Sequence, residues 1–136
     1  MARVMALDYG MKRCGLATTD ELQIIAFPLD TIETAQILPF FEDYFAKEPV
    51  ECLVIGEAPH KDGTPTKLEA QIQRFIKAFS KRYPEVKVDR YDEHLTSKQA
   101  SEVIFFSVKS RKKRREKGLI DKVSAAIILQ EYLGLL

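Results

Sequence analysis

Residues 3–20, RVMALDYGMKRCGLATTD, decide the fold of this 136-residue chain. The apolar residues 4–7 predict a buried strand that ends on a carboxylate, Asp8. A tight turn follows at residues 9–13, and residues 14–19 predict a second strand beside the first. Asp8 therefore stands where a buried strand gives way to a turn. An acid at that place can hold a metal ion, or it can simply bond to nearby backbone amides, as Asp often does in turns.

The composition is that of an ordinary globular domain, with 46% hydrophobic and 30% charged residues. We expect a single domain over residues 1–136. No apolar run approaches the roughly 20 residues that span a bilayer, and the N-terminus lacks a signal-peptide pattern, so we expect no membrane partner. Cys14 and Cys52 fall inside predicted strands without CxxC spacing, which indicates buried, reduced thiols in a cytoplasmic protein.

Charge is concentrated in residues 109–117, KSRKKRREK, which carry seven basic residues and one acidic residue. Because this block has a net charge of +6 and the whole chain only +1, the rest of the chain stands at −5. Such a block predicts a polyanion-binding arm or loop, although a solvated connector has the same composition. It contains no aromatic residue and would therefore contact phosphates without stacking on bases. The predicted nucleic-acid contacts in the block are Lys109, Arg111, Lys112, Lys113, Arg114 and Arg115.

The remaining chain alternates between strand and helix patterns. Residues 22–29 predict a third strand, and Pro28 favours an edge position for it. Helical periods follow at residues 34–47, behind a capping box at 66–69, at 97–107 and from Gly118 onward, with strands at 52–56 and 86–91. The first helix should bury Ile37, Leu38, Phe41, Tyr44 and Phe45. This order predicts an α/β fold: a mixed five-stranded sheet of three antiparallel meander strands plus two strands reached by helical crossovers, flanked by helices.

Three carboxylates stand at the ends of predicted elements: Asp8 ends the first strand, Glu93 follows the last strand, and Asp121 opens the last helix. Asp121 could instead be the N-cap of that helix. Asp92 and Glu93 are neighbours, so on an extended chain only one of them can point into a shared site. Three acids brought together repel one another unless a cation lies between them. Carboxylate oxygens suit Mg²⁺ or Mn²⁺, and the pattern predicts metal-assisted phosphoryl chemistry.

Three motifs together carry a resemblance to a known family. They are residues 7–13 (LDYGMKR) with 15–17 (GLA), residues 91–96 (YDEHLT), and residues 120–121 (ID) with 125–130 (AAIILQ) and 132–133 (YL). In order and spacing, across almost the whole chain, they resemble the YqgF/RuvX family. The resemblance implies an RNase H-like fold, a bacterial cytoplasmic setting and a divalent-metal nuclease. The substrate it implies is the 5′ end of pre-16S ribosomal RNA in ribosome biogenesis, or alternatively a Holliday junction.

The resemblance also implies roles for individual residues. Asp8, Glu93 and Asp121 would be the catalytic acids and would hold two Mg²⁺ or Mn²⁺ ions, with Asp8 bridging them. Lys12 and Arg13, in the turn after Asp8, would contact a phosphate of the nucleic acid.

Three positions depart from the family pattern. Ser124 stands one helical turn after Asp121, where related resolvases carry a fourth acid. His94 replaces the family's Arg, so a bidentate arginine contact to carboxylate or phosphate cannot form there. Glu57 follows the strand-end glycine and adds negative charge near the expected substrate path.

The expected partner is nucleic acid, either an rRNA precursor or branched DNA, with ribosomal particles as a further partner of a monomer or homodimer. Symmetric cleavage of a four-way junction would require the dimer.

Two other classes of function remain open. A non-catalytic nucleic-acid-binding module would need the basic block but not the acids. The second class is a sugar-kinase or actin-like ATPase, because residues 8–10 also resemble a phosphate-binding hairpin. Those enzymes, however, close two domains over the nucleotide.

Overall fold

The computed structural model describes residues 2–57, 67–92 and 117–134, without the side chains of Glu57, Asp92 and residues 117–121. Its strands are β1 (Arg3–Tyr9), β2 (Arg13–Thr19), β3 (Ala26–Glu33), β4 (Val50–Glu57) and β5 (Lys87–Asp92). A 3-10 helix (Thr34–Gln36) leads into α1 (Ile37–Lys47), and α2 (Lys67–Arg82) and α3 (Lys117–Tyr132) follow later in the chain. The helix expected at residues 97–107 lies outside the described residues. Among the helices described here, none is both long and apolar enough to cross a membrane.

The five strands form one mixed sheet in the order β3-β2-β1-β4-β5. β1, β2 and β3 are an antiparallel meander, whereas β4 pairs parallel with β1 and β5 pairs parallel with β4. The predicted α/β class and the mixed five-stranded sheet are thus confirmed. β3 lies at an edge, as Pro28 indicated, because proline has no N–H to donate to a neighbouring strand.

The third strand begins four residues later than predicted, at Ala26. Asp20 follows β2 and begins a tight turn. Its Oδ1 accepts hydrogen bonds from the backbone N–H groups of Ile24 (2.7 Å) and Ile25 (2.9 Å). Gln23 sits in this turn with φ of 58°, the left-handed region. Both isoleucines are about 60% exposed, so this apolar stretch belongs to a surface turn and the prediction of strand from residue 22 was wrong.

Helices cover both faces of the sheet. Met5, Leu7 and Leu53 pack against α1 and α2, through Phe41, Phe75 and Phe79 among others. Val4, Ala6 and Val54 pack against α3, whose residues 124–129 are all buried. The alternation along β1 follows from the two-residue period of a strand, and it assigns every side chain of β1 to one of the two faces. Cys14 and Cys52 are buried free thiols, one in each core, as predicted.

Two further helix predictions need correction. Leu38, expected inside, is 39% exposed, because the burial stripe of α1 runs through Ile37 and Phe41. The helix α3 begins at Lys117, four residues before Asp121, so Asp121 is not its N-cap. Capping of the helix therefore does not explain the acid at position 121.

Candidate active site

Asp8 lies at the carboxyl end of β1, on the face of the sheet that α3 covers. Val4 and Ala6 belong to the α3 core, and Asp8 follows them with the two-residue period of the strand. Its side chain is half-buried. Asp121 belongs to α3, the helix that packs on the sheet face of Asp8.

Glycines stand on both sides of Asp8 in the sheet. Asp8 pairs with Gly15 of β2, and the parallel pair Leu7–Ile55 places Gly56 of β4 next in register opposite Asp8. Paired residues in neighbouring strands project to the same face. Neither strand neighbour therefore projects a side chain beside the Asp8 carboxylate.

The turn after Asp8 is held in place by Thr34, at the start of the 3-10 helix. Thr34 donates its hydroxyl to the carbonyl of Gly10 (2.7 Å) and its N–H to the carbonyl of Lys12 (2.9 Å). A Cβ at position 10 would come far inside van der Waals contact with the carbonyl oxygen of Arg13, so the turn requires glycine. Thr34 was not among the residues that the sequence singled out, because its partners lie more than twenty residues away.

The two predicted phosphate contacts in this turn differ in exposure. Lys12 is exposed and stands on the turn that Thr34 fixes, four residues from Asp8. Arg13 is half-buried at the start of β2, where it pairs in register with Glu33 of β3. Lys12 is thus the more accessible cation at this end of the sheet.

Tyr9 supports the strand end from the other face. It is 8% exposed, and its hydroxyl accepts a hydrogen bond from the Gln71 amide of α2 (3.1 Å). Its ring lies 5.4 Å from that of Phe75. Burial raises the pKa of Tyr9 above the usual tyrosine value, so the phenol remains a neutral hydrogen-bonding group. Asp8 therefore extends from a strand end that is packed on the opposite side.

The far end of α3 is anchored to the sheet at two points. Tyr132 donates its hydroxyl to Oδ2 of Asp89 in β5 (2.7 Å), and the Gln130 amide donates to the carbonyl of Ala26 in β3 (3.1 Å). The hydrogen bond raises the pKa of Tyr132 and lowers that of Asp89. Because the two anchors lie on the opposite edge strands of the sheet, β5 and β3, the position of α3 across this face is restrained.

Ser124 is the buried polar residue of α3. It stands one turn after Asp121, is 2% exposed, and its Oγ has no hydrogen-bond partner within the described part of the chain. A buried hydroxyl without a partner costs free energy. A hydrated cation beside the helix could provide the partner, so Ser124 and the oxygen-rich set of Asp8, Glu93 and Asp121 are compatible with a hard divalent ion.

That all the candidate residues meet in one site stays a prediction. Glu93 and the basic block at 109–115 lie outside the described residues, and so does the side chain of Asp121. Among the side chains that are described, no three acids, histidines or cysteines form a metal-binding group. The candidate side chains that the structure describes are Asp8, Lys12, Arg13 and Ser124, with Gly15 and Gly56 beside Asp8.

Comparison with known sequences identifies close relatives over the full length. The family model described as RuvX: Holliday junction resolvase matches residues 2–134. A protein of Christiangramia forsetii is 48% identical over 133 residues, covering 98% of both chains. One from Flavobacterium johnsoniae is 48% identical over 134 residues, covering 98% of this chain and 97% of its own. Both carry the name "Putative pre-16S rRNA nuclease".

Comparison with solved structures gives the same fold at much lower identity. RuvC of Thermus thermophilus, solved in complex with a Holliday junction substrate, superposes with a TM-score of 0.60 at 16% identity. The fowlpox virus resolvase, solved with Holliday junction DNA, superposes with a TM-score of 0.62 at 14% identity. In each case the match covers 98% of this chain and 97% of the other. The likeness confirms the predicted RNase H-like fold.

Proposed function

The chain belongs to the RuvX family, and we propose that it is a divalent-metal-dependent nuclease that hydrolyses phosphodiester bonds in structured nucleic acid. One observation carries the proposal: Asp8 is a half-buried carboxylate at the end of a central strand, flanked by Gly15 and Gly56, on the face covered by the helix of Asp121. The carboxyl end of a central strand, where the chain leaves the sheet, is a common place for a site in an α/β sheet.

The metal site would consist of Asp8, Glu93 and Asp121, holding two Mg²⁺ or Mn²⁺ ions with Asp8 between them. When bound, the ions would activate the attacking water and stabilise the charge on the leaving oxygen. The three carboxylates would hold these ions, and the buried hydroxyl of Ser124 would be available to their hydration shell. A serine in place of a fourth acid leaves one negative charge fewer, so we expect weaker metal binding than a four-acid site would have.

The alternation of β5 supports Glu93, and not Asp92, as the second acid. Asp89 bonds to Tyr132 of α3, and Tyr91 meets the ring of Tyr132 edge-on at 6.3 Å, so the odd-numbered residues face α3. We therefore propose Glu93 for this role, because a residue that continued the alternation two positions after Tyr91 would face α3. Asp8 lies on that same face.

Substrate binding would rely on the basic side chains of a chain that is otherwise acidic in net charge. Lys12 and Arg13 would contact phosphates next to the cleaved bond, and the block from Lys109 to Arg115 would contact phosphates further away. The names of the relatives favour a 16S rRNA precursor as the substrate. We further propose cleavage at its 5′ end, with ribosomal particles as partners in a bacterial cytoplasm. The fold shared with two junction-bound resolvases makes a four-way DNA junction the second candidate.

The test compares wild type with Asp8→Asn on precursor 16S rRNA and on a four-way DNA junction, with Mg²⁺ or Mn²⁺. Loss of a metal ligand should lower the cleavage rate by a factor of about 100 or more, since even indirect metal contacts are worth roughly 10- to 100-fold. Asp43→Asn is the matched control, because Asp43 is an exposed acid on α1, across the sheet. Equal rates for wild type and Asp8→Asn would refute the mechanism.

The same assay separates the remaining alternatives. Cleavage of the junction and not of the RNA would favour the resolvase function, and that function further requires a dimer by light scattering. A non-catalytic binding module would keep its binding in Asp8→Asn and lose it when Lys112, Lys113, Arg114 and Arg115 are neutralised. Turnover of ATP would favour the kinase-like alternative.

A further inference from the structure

Arg90 of β5 makes four hydrogen bonds to two other elements. Its Nη2 and Nη1 atoms contact Oε1 (2.8 Å) and Oε2 (3.1 Å) of Glu69 in a side-by-side pair. Its Nε also donates to the carbonyl of Ile55 (3.3 Å), and Nη2 donates to the carbonyl of Gly56 (3.2 Å). The side chains of Arg90 and Glu69 are only 20% and 15% exposed. A paired, partly buried guanidinium with charge-assisted bonds is among the stronger polar contacts in proteins.

These contacts join three elements near the carboxyl ends of β4 and β5, at the same end of the sheet as Asp8. Glu69 stands in the first turn of α2, where a negative charge is also favoured by the helix dipole. Ile55 and Gly56 are among the last residues of β4. Arg90 itself lies two residues before the end of β5. The guanidinium therefore links the start of α2 to the carboxyl ends of two neighbouring parallel strands.

The register places this link directly beside the Asp8 row of the sheet. Ile55 pairs with Leu7 on one side and with Arg90 on the other, so all three residues lie in one row. The next row contains Asp8, then Gly56 and Tyr91. Strand ends have fewer ladder bonds than strand centres and open more easily. Contacts from the Arg90 side chain to the carbonyls of Ile55 and Gly56, near the end of β4, restrain such opening in the rows at and next to Asp8.

From this geometry we propose that Arg90, held by Glu69, is a positioning residue for the metal site. It fixes the ends of β4 and β5 relative to each other, and so fixes the distance between Asp8 and the acid that follows β5, Glu93. This inference rests on the proposed nuclease function, because it requires those two carboxylates to share metal ions. Arg90 touches neither metal nor substrate in this role; it acts through the backbone of the two strands.

The requirement is for arginine and not merely for a positive charge. The planar guanidinium supplies donors in several fixed directions, which reach one carboxylate and two carbonyls at once. A lysine ammonium is a single point of charge on a flexible stem and cannot reproduce these contacts. We therefore expect Arg90→Lys to keep the attraction to Glu69 and to lose the restraint on β4.

The experiment measures Mn²⁺ affinity by calorimetry, the Mn²⁺ dependence of cleavage and thermal unfolding for wild type and Arg90→Lys. We expect Mn²⁺ affinity to fall about 10- to 100-fold, the range known for residues that orient metal ligands. We expect the cleavage rate to recover at saturating Mn²⁺, which general destabilisation would not produce. Arg82→Lys is the matched control, because Arg82 pairs with Glu42 at the exposed far end of α2 (3.5 Å).

Two further variants keep the inference testable if Arg90→Lys does not fold. Glu69→Gln is nearly isosteric and leaves Arg90 in place, and it should lower Mn²⁺ affinity several-fold. The exchange Glu69→Arg with Arg90→Glu restores the ion pair without the donors to β4, and its Mn²⁺ affinity should stay low. Wild-type Mn²⁺ affinity in folded Arg90→Lys, or in Glu69→Gln, would overturn the positioning role alone. Absence of Mn²⁺ binding in wild type would overturn the proposed metal site and the positioning role with it.

Discussion

Replacing Tyr132 with phenylalanine removes one hydrogen bond that anchors α3, the helix that carries Asp121. The Tyr132 hydroxyl donates to Asp89 across 2.7 Å, and such bonds to a charged group contribute about 1.5–3 kcal/mol. The Asp89 side chain is 39% exposed, so water can replace part of the contact in the variant. The ring remains and keeps its edge-on contact with Tyr91. We expect a loss of about 1–2 kcal/mol in the free energy of unfolding, or roughly 3–8 °C in Tm.

The effect of Tyr132→Phe on stability should depend on pH at both extremes. The bond raises the pKa of Tyr132, so its contribution is complete below about pH 10, where unfolded tyrosine ionises, and disappears as the pH rises through the folded pKa. It lowers the pKa of Asp89, so the contribution is complete above about pH 4 and disappears as the pH falls through the folded pKa. The difference between wild type and variant should therefore be largest and flat from about pH 5 to pH 9.

Thermal melts of both proteins between pH 3 and pH 11 measure this difference. Tyr83→Phe is the matched control: it removes the same hydroxyl from a ring that packs between Phe45 and Phe79 and has no contact with Asp89 in the described chain. Its effect on Tm should not follow the pH profile expected for Tyr132→Phe. Equal Tm values for wild type and Tyr132→Phe at pH 7, or a difference that grows below pH 4, would refute the role of the Tyr132–Asp89 bond.

Three more expectations concern the turn after Asp8 and the basic block. Gly10→Ala should cost about 1–3 kcal/mol, because the new methyl group meets the carbonyl oxygen of Arg13; an unchanged urea midpoint would contradict the contact. Thr34→Val should cost about 0.5–1.5 kcal/mol in the same assay, because the hydrogen bond to Gly10 is lost. It should also weaken nucleic-acid binding, because the turn that carries Lys12 loses a restraint. Unaltered binding would contradict a role for Lys12 in substrate binding. If about five charges of the block at 109–115 contact phosphates, log K should fall with a slope near −4 against log salt, and a flat response would mean that the block is only a solvated connector.

The order of the strands along the chain and the position of Asp8 near a strand end follow from local patterns in the sequence. Residues 4–7 are an unbroken apolar run, which suits a strand covered on both faces, and the acid that follows the run lies near the end of that strand. The boundary of β3 did not follow, because Ile24 and Ile25 have the composition of a strand. Their backbone N–H groups bond to Asp20 instead of a neighbouring strand, and composition carries no information about that choice.

The surroundings of Asp8 were decided by the tertiary structure. That Gly15 and Gly56 flank the carboxylate depends on the register of two separate strand pairings. The contact of Arg90 with Glu69 joins residues 21 positions apart, and that of Tyr132 with Asp89 joins residues 43 positions apart. The sequence by itself determined which residues could form strands, helices and an acidic site, because periodicity and turn chemistry act over a few residues. Only the folded chain decided which of them meet, because register and packing depend on contacts between distant segments.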